Sequence, residues 1–367
     1  MRGSRPQRAV MATILVACSL VAAVAGAKVG APSGASSASL PHPAPLARPD
    51  GFDPAAENAK CASCHREIAA EWQSSMHRRA FVDPVFQQAY SIERFPFCRG
   101  CHAPESDPTT EPTQAASDMG VSCLTCHVQA GKVVGASDLA HPHEVAGDAR
   151  MATRAACASC HQFDFPRVPG QPMQDTLEEH RRSSLSQIEC QGCHMAPEVG
   201  EGGKKHKSHD FAVLSDPAMI RSAAKITASR GAGDTVLVTL TADRVGHAFP
   251  TGDMFRRLEI RATAVDAHGK AVACAAPVHL ARKFADQPTP QSEGGLFRAE
   301  VADTRVPAPG RGSRVAKLVF DAPVGAAEIR WVVAYQRMDH AMAASFGVDP
   351  ARDEIVVATG SLPVSSP

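Results

Sequence analysis

The chain has 367 residues, with 38 basic and 38 acidic side chains interspersed and a formal net charge of zero. That excludes the basic footprint of a nucleic-acid-binding protein, while the length allows two domains. Only 5% of residues are aromatic, against 28 prolines and 27 glycines, which leaves room in the core for something besides side chains.

Residues 1–27 read as an export signal. Arg2, Arg5 and Arg8 give a basic start, Ala9 to Ala27 is apolar except for Thr13 and Ser19, and Ala25-Gly26-Ala27 is a cleavage site of small residues. Leu15-Val16-Ala17-Cys18 also fits a bacterial lipobox, which would make Cys18 a lipid anchor. The apolar run beyond Cys18 favours cleavage after Ala27, whereas the Ala/Ser/Pro-rich stretch from Ala31 to Pro49 favours a tether. Either way the expected destination is the periplasm or the outer envelope. Residues 28–52 lack the apolar side chains to pack and read as a disordered linker.

From 53 to 215 come nearly all the cysteines and many histidines. Ten of the twelve cysteines form five copies of C-x-x-C-H, with cysteine pairs Cys61/Cys64, Cys98/Cys101, Cys123/Cys126, Cys157/Cys160 and Cys190/Cys193. The histidines that follow are His65, His102, His127, His161 and His194. This is the spacing of c-type haem attachment. Two thioethers must reach one edge of the porphyrin while the next residue reaches the iron, and three residues place all three groups within about one helical turn. Zinc would use two cysteine pairs per site, leaving one pair over and the invariant histidine unexplained. A disulfide across C-x-x-C would close too short a loop to staple anything. The expected cofactor is five covalent haems c. Cys61 to His194 spans 134 residues, so haems must supply much of the core and lie close enough to pass electrons.

Each iron keeps one axial position, and eleven further histidines are available, so a second histidine is the expected distal ligand. Met195 follows His194 directly and cannot reach the opposite face of that haem. After the first motif, Ile68, Trp72 and Met76 recur every four residues and predict a helix. On that helix His77 would lie about 18 Å beyond His65, so it is the leading ligand for a neighbouring haem. His141 and His143 flank Pro142, with His143 preferred. His206 and His209 offer another choice, with His209 preferred. His180, in Glu178-Glu179-His180-Arg181-Arg182, reads as a solvated helix face. His42, His268 and His340 read as exposed, and Cys274 as a small buried residue.

From 225 to 367 the pattern becomes short alternating strands, such as Thr235–Thr241, Leu258–Val265 and Ile329–Tyr335, with turns at Asp266–Lys270 and Pro307–Gly312. This predicts an all-β domain, an Ig-like antiparallel sandwich, behind a loop-rich, mainly α-helical haem domain. His247, between Gly246 and Phe249-Pro250-Thr251-Gly252, is either a plain turn residue or a ligand donated by this domain. Arg256 and Arg257 could then meet haem propionates.

Several of these stretches resemble the cytochrome c-554/c-prime family. They are Cys61 to His65 with Ile68, Trp72, Ser75 and His77; Phe97 to Pro104; Gly120 to Val128; Cys190 to Met195; Ser208 to Phe211; and Gly246 to Gly252 with Arg256-Arg257. The resemblance covers roughly residues 58 to 265. It implies stacked, mostly bis-histidine haems and raises His77, His209 and His247 as ligands. Such relatives include both electron carriers and reductases of small nitrogen or sulfur compounds. An electron-transfer protein serving quinol-linked or envelope cytochromes is the expected function, with a nitrite, hydroxylamine or tetrathionate reductase as the alternative. No departure such as C-x-x-C-K marks a catalytic haem, and oligomeric state is not legible.

Overall fold

The computed structural model describes residues 48, 50–92, 94–107, 110–138, 142–165, 168–211, 213–214, 216–288, 296–350 and 354–364. The export signal, Cys18, His42, His141 and most of the linker lie outside the described residues.

Regular structure begins at Pro54–Cys64, where Asp53 caps the helix by accepting from the amides of Ala55 and Ala56. The next helix, Arg66–Ser74, stops earlier than the Ile68-Trp72-Met76 stripe suggests. The Ser75 hydroxyl donates to the Trp72 carbonyl at 2.7 Å and accepts from the Arg78 amide at 3.1 Å. With Ser75 itself extended (ψ 160°), the chain leaves the helix and places His77 in a turn. The ~18 Å separation expected along one continuous helix therefore does not apply.

The remaining helices of this half are short, and among the described residues three small sheets interrupt them. Val128–Gln129 pairs with Lys132–Gly135 across Ala130-Gly131, both at positive φ, the geometry of a tight hairpin turn. Gln162–Phe165 pairs with Val168–Asp175, and Pro197–Val199 with Lys205–Lys207. Among the described residues the apolar packing here is slight: Phe81, Tyr90 and Ala103, with Phe86 and Cys98 against them.

The second half is built differently. Leu296–Asp303, Val278–Pro288, Arg257–Val265, Glu328–Gln336 and Glu354–Pro363 are neighbours in that order, with Ala271–Cys274 also on Arg257–Val265. Ser313–Val319, Thr235–Ala242 and Ala224–Arg230 make a second antiparallel sheet. Val236, Val238 and Leu240 from one sheet, and Leu258, Ile260, Ile329 and Val333 from the other, are fully buried in one core. Their alternation is the period-two pattern that fixes strand register. The turn after Val265 closes as expected, because Asp266 accepts from the amides of His268 and Lys270. Cys274 departs from expectation. It lies exposed opposite Thr263, on a four-residue strand paired on one side only.

Charged pairs join the halves. Arg337 grips Asp83 with two bonds of 3.0 and 2.6 Å, and Arg282 donates to the carbonyls of Met173 and Pro172. The Ser184 amide reaches the Pro309 carbonyl at 2.9 Å. Burial would raise the pKa of Asp83, but the Arg337 fork and two backbone amides hold it below its ordinary 3.8. The contribution is therefore complete above that value and lost as pH falls through the lowered one. Arg337→Met should strand a buried carboxylate and lower unfolding stability by about 3 kcal/mol. In chemical denaturation at neutral pH, Asp83→Asn/Arg337→Met should recover part of that loss.

Candidate metal centres

All five C-x-x-C-H segments fold as helical turns. They end the Pro54–Cys64 helix or form Pro96–His102, Cys123–His127, Ala155–His161 and Cys190–His194. The second and third starts are specified locally, and the fifth by a distant arginine. Pro96 stands in the first turn of the second, Ser122 and Thr125 form a capping box on the third, and the Glu189 carboxylate before the fifth is held by Arg154. Thiols of different motifs also meet: Cys101 hydrogen-bonds with Cys160, and Cys157 with Cys190.

Cys193 is the second cysteine of the fifth motif. It is exposed, in contrast to Cys190 of the same motif, which is partly covered and meets Cys157. The cause is local. The Cys190–His194 helix is only five residues long and has no fully buried residue, and Gly192 beside Cys193 is exposed as well. Cys64 and Cys126, the second cysteines of the first and third motifs, are exposed too. The role of these three cysteines as thioether donors rests on the motif spacing.

Four motif histidines face a second imidazole. Ring centres lie 6.1 Å apart for His65 and His143, 6.3 Å for His77 and His161, 6.2 Å for His127 and His209, and 6.3 Å for His194 and His247. Two metal–nitrogen bonds of about 2 Å placed end to end, with the reach from each nitrogen to its ring centre added, separate trans imidazole centres by roughly 6 Å. The ring planes meet at 82°, 62°, 38° and 7° in the same order. Among the described residues, no group of three or more His, Cys, Asp or Glu side chains is arranged to hold a metal by itself. The donor set is thus a series of axial pairs beside cysteine pairs, which fits haem c and does not fit zinc.

Ring tautomers agree with this use. A carbonyl can only accept, so Nδ1 carries the proton in His127 (to Val134, 2.9 Å), His209 (to Lys207, 2.7 Å), His247 (to Ala248, 2.9 Å) and His102 (to Ala80, 2.7 Å). Each then presents the Nε2 lone pair, the ordinary arrangement of a metal-bound histidine. Burial also disfavours the charged form of four of the paired rings. It pushes His77 down from 6.5 to about 3, and His161, His194 and His247 to about 4.

His77 is seated by contacts that periodicity does not reveal. Its carbonyl accepts from the Val121 amide at 2.9 Å, and the Val121 carbonyl accepts from the Trp72 indole at 2.8 Å. Gly120 sits at φ +54°, and a Cβ there would collide with the carbonyls of His77 and Arg78. The ring of Phe211 packs edge-on against His77 at 4.2 Å. Glu71 bonds the His206 ring at 2.7 Å and accepts from the His209 amide at 2.8 Å. His206 is therefore committed to a carboxylate while its neighbour faces His127.

Other assignments change. His180 is buried rather than solvated, with Nδ1 3.4 Å from an Arg154 guanidinium nitrogen. Arg257 is occupied by Asp339, Glu259 and Gln336 inside the β half, which removes it as a free propionate partner. Arg256 lies near His161 and His247. His340 bonds Gln336 and pairs with Glu354. His102 stands apart: its ring stacks on Phe86 at 3.7 Å, and among the described residues no second histidine ring faces it. The sequence offers no reason for one motif histidine to differ from the others in this way.

Residues 60–128 match the family described as cytochrome c554 and c-prime. In fold, the chain is similar to the penta-heme cytochrome c552 from Thermochromatium tepidum, with a TM-score of 0.65 and 22% identity over 84% of this chain and 98% of that one. No curated protein matches the sequence. With five attachment motifs, a cytochrome family match and a cytochrome fold, this chain is a multihaem c-type cytochrome.

Proposed function

We propose that the chain carries five covalent haems c and transfers electrons through them outside the cytoplasm. Cys61/Cys64, Cys98/Cys101, Cys123/Cys126, Cys157/Cys160 and Cys190/Cys193 hold the macrocycles, with His65, His102, His127, His161 and His194 as proximal ligands. The observation that carries the reading is the set of four imidazole pairs at 6.1–6.3 Å. It makes His143, His77, His209 and His247 the distal ligands opposite His65, His161, His127 and His194. Haem iron supplies the one-electron chemistry, and two histidines favour a low potential. The chain's own part is to hold neutral imidazoles at fixed separation and to exclude water. His77 and His247 are partly buried, whereas His65 and His143 are both exposed. The exposed pair is the natural point of exchange with a partner such as an envelope or quinol-linked cytochrome.

Export rests on the N-terminal pattern of residues 1–27, with Cys18 as the candidate lipid anchor. The strand half serves as an Ig-like sandwich that caps the haem half and donates His247.

A second reading has one observation in its favour. His102 has no facing histidine among the described residues, so its iron is the place where a small oxidised nitrogen or sulfur compound would bind if the protein is a reductase. Carbon monoxide titration of the reduced protein separates the readings. About one equivalent bound favours reduction at that iron, and no binding leaves electron transfer alone.

The intact mass of the matured protein should exceed its processed polypeptide by five haem units, and a haem stain lost on denaturing electrophoresis would contradict covalent attachment. Gly120→Val should force the His77 turn away from its seat. Visible and magnetic circular dichroism spectra should then lose bis-histidine character at one iron while the other haems keep theirs.

A further inference from the structure

We infer that Glu179 and Arg305 form a buried clamp that positions His247 opposite His194; the inference rests on the ligand reading above. His247 lies in a loop, so no helix or ladder fixes its backbone. The bond from its Nδ1 to the Ala248 carbonyl orients the ring relative to its own chain, but not the chain relative to the fifth motif. Other groups must hold the loop.

Three contacts do so on its C-terminal side. Phe249 exchanges both backbone hydrogen bonds with Val306, at 2.9 and 3.0 Å. Next to Val306, Arg305 donates to the Pro250 carbonyl at 3.1 Å and pairs with Glu179 at 2.7 Å. The other oxygen of that carboxylate accepts from the Thr251 hydroxyl at 2.5 Å, and Thr251 also bonds Thr176 at 2.9 Å. Glu179 and Thr176 belong to the Thr176–Arg181 helix of the haem half. One carboxylate therefore ties the His247 loop to the haem half both directly and through Arg305. Asp303 fixes the same guanidinium with bonds of 3.0 and 2.7 Å.

The N-terminal side is keyed as well. A Cβ on Gly246 would stand 2.8 Å from the His180 ring, so only glycine allows this approach without displacing it. His180 neighbours Arg154, whose guanidinium is bound by Glu189, the residue preceding Cys190. Both flanks of His247 are thus registered against Thr176–Arg181, and through Arg154 and Glu189 the N-terminal one also reaches the element that carries His194.

The energetics favour a positional role over a stabilising one. The Arg305 and Glu179 side chains are only 6% and 7% exposed, and a buried ion pair gains little over a well-packed apolar pair. What the pair supplies is direction: a planar fork with fixed donors bonded to the backbone three residues from the imidazole.

The test uses matured holoprotein. Arg305→Met/Glu179→Met removes both charges together, so neither is left buried alone. Attachment depends on the cysteine motifs, so haem content should be retained. One low-spin iron in the electron paramagnetic resonance spectrum of the oxidised protein should become high-spin, as in His247→Ala, and added imidazole should restore it. Arg305→Lys keeps the charge but loses the fork, and should convert part of the same iron. If His247→Ala converts an iron while the double variant keeps the wild-type spectrum, the clamp is overturned and the ligand reading stands. If His247→Ala itself changes nothing, the ligand reading fails at that iron and the clamp fails with it. Should the double variant not accumulate, Arg305→Lys decides: an unchanged low-spin signal overturns the clamp, and partial conversion supports it.

Discussion

Two imidazoles can share one iron only if their ring centres are held about 6 Å apart, and the architecture follows from that separation. A motif histidine comes with its cysteines, because one helical turn delivers all three groups. Its partner must come from elsewhere in the chain and arrive with similar precision. His143, His77, His209 and His247 are loop or turn residues, so their placement depends on contacts outside regular ladders. Trp72 and Gly120 seat His77, Glu71 holds the His209 loop, and a buried carboxylate grips the loop of His247.

The two halves solve the problem of a core differently. Alternating Val, Leu and Ile residues close the strand half around one apolar interior, which can hold its shape by side-chain packing. The haem half has only a small aromatic cluster among its described residues. Thiols of separate motifs meet within it, while Cys193, Cys64 and Cys126 are exposed. Covalent macrocycles would supply further apolar surface, and their attachment would then be coupled to the folding of this half. Docking through Arg337, Arg305 and Arg282 then lets the strand half hold the haem half in register.

The chemistry is legible in the sequence wherever it depends on covalent spacing. C-x-x-C-H is a local geometric requirement, and alternating strands such as Thr235–Ala242 follow from a local period. His143 and His209 can be preferred over His141 and His206, but the basis of a choice is not visible there. His206 faces a carboxylate supplied 135 residues away, and no local pattern announces Glu71. The end of the helix at Ser74 escapes sequence reading because its cause is a serine side chain competing for a backbone carbonyl. An apolar stripe does not register that kind of competition. His180 misleads for a related reason. Its charged neighbours suggest solvent, yet Arg154 and the Gly246 loop cover it. That no histidine among the described residues faces His102 cannot be read from sixteen histidines, since a count says nothing about which ring faces which.

Four facing imidazole pairs, and a fifth proximal histidine that no second histidine ring faces among the described residues, are the centre of this reading. Low-temperature electron paramagnetic resonance of the fully oxidised wild-type protein tests them most directly, with spin quantitation against haem content. The expected result is four low-spin irons with two nitrogenous axial ligands, their g anisotropies spread by ring angles from 7° to 82°, and one iron with a different signature. Five equivalent bis-histidine signals, or two or more irons lacking that signature, would contradict it.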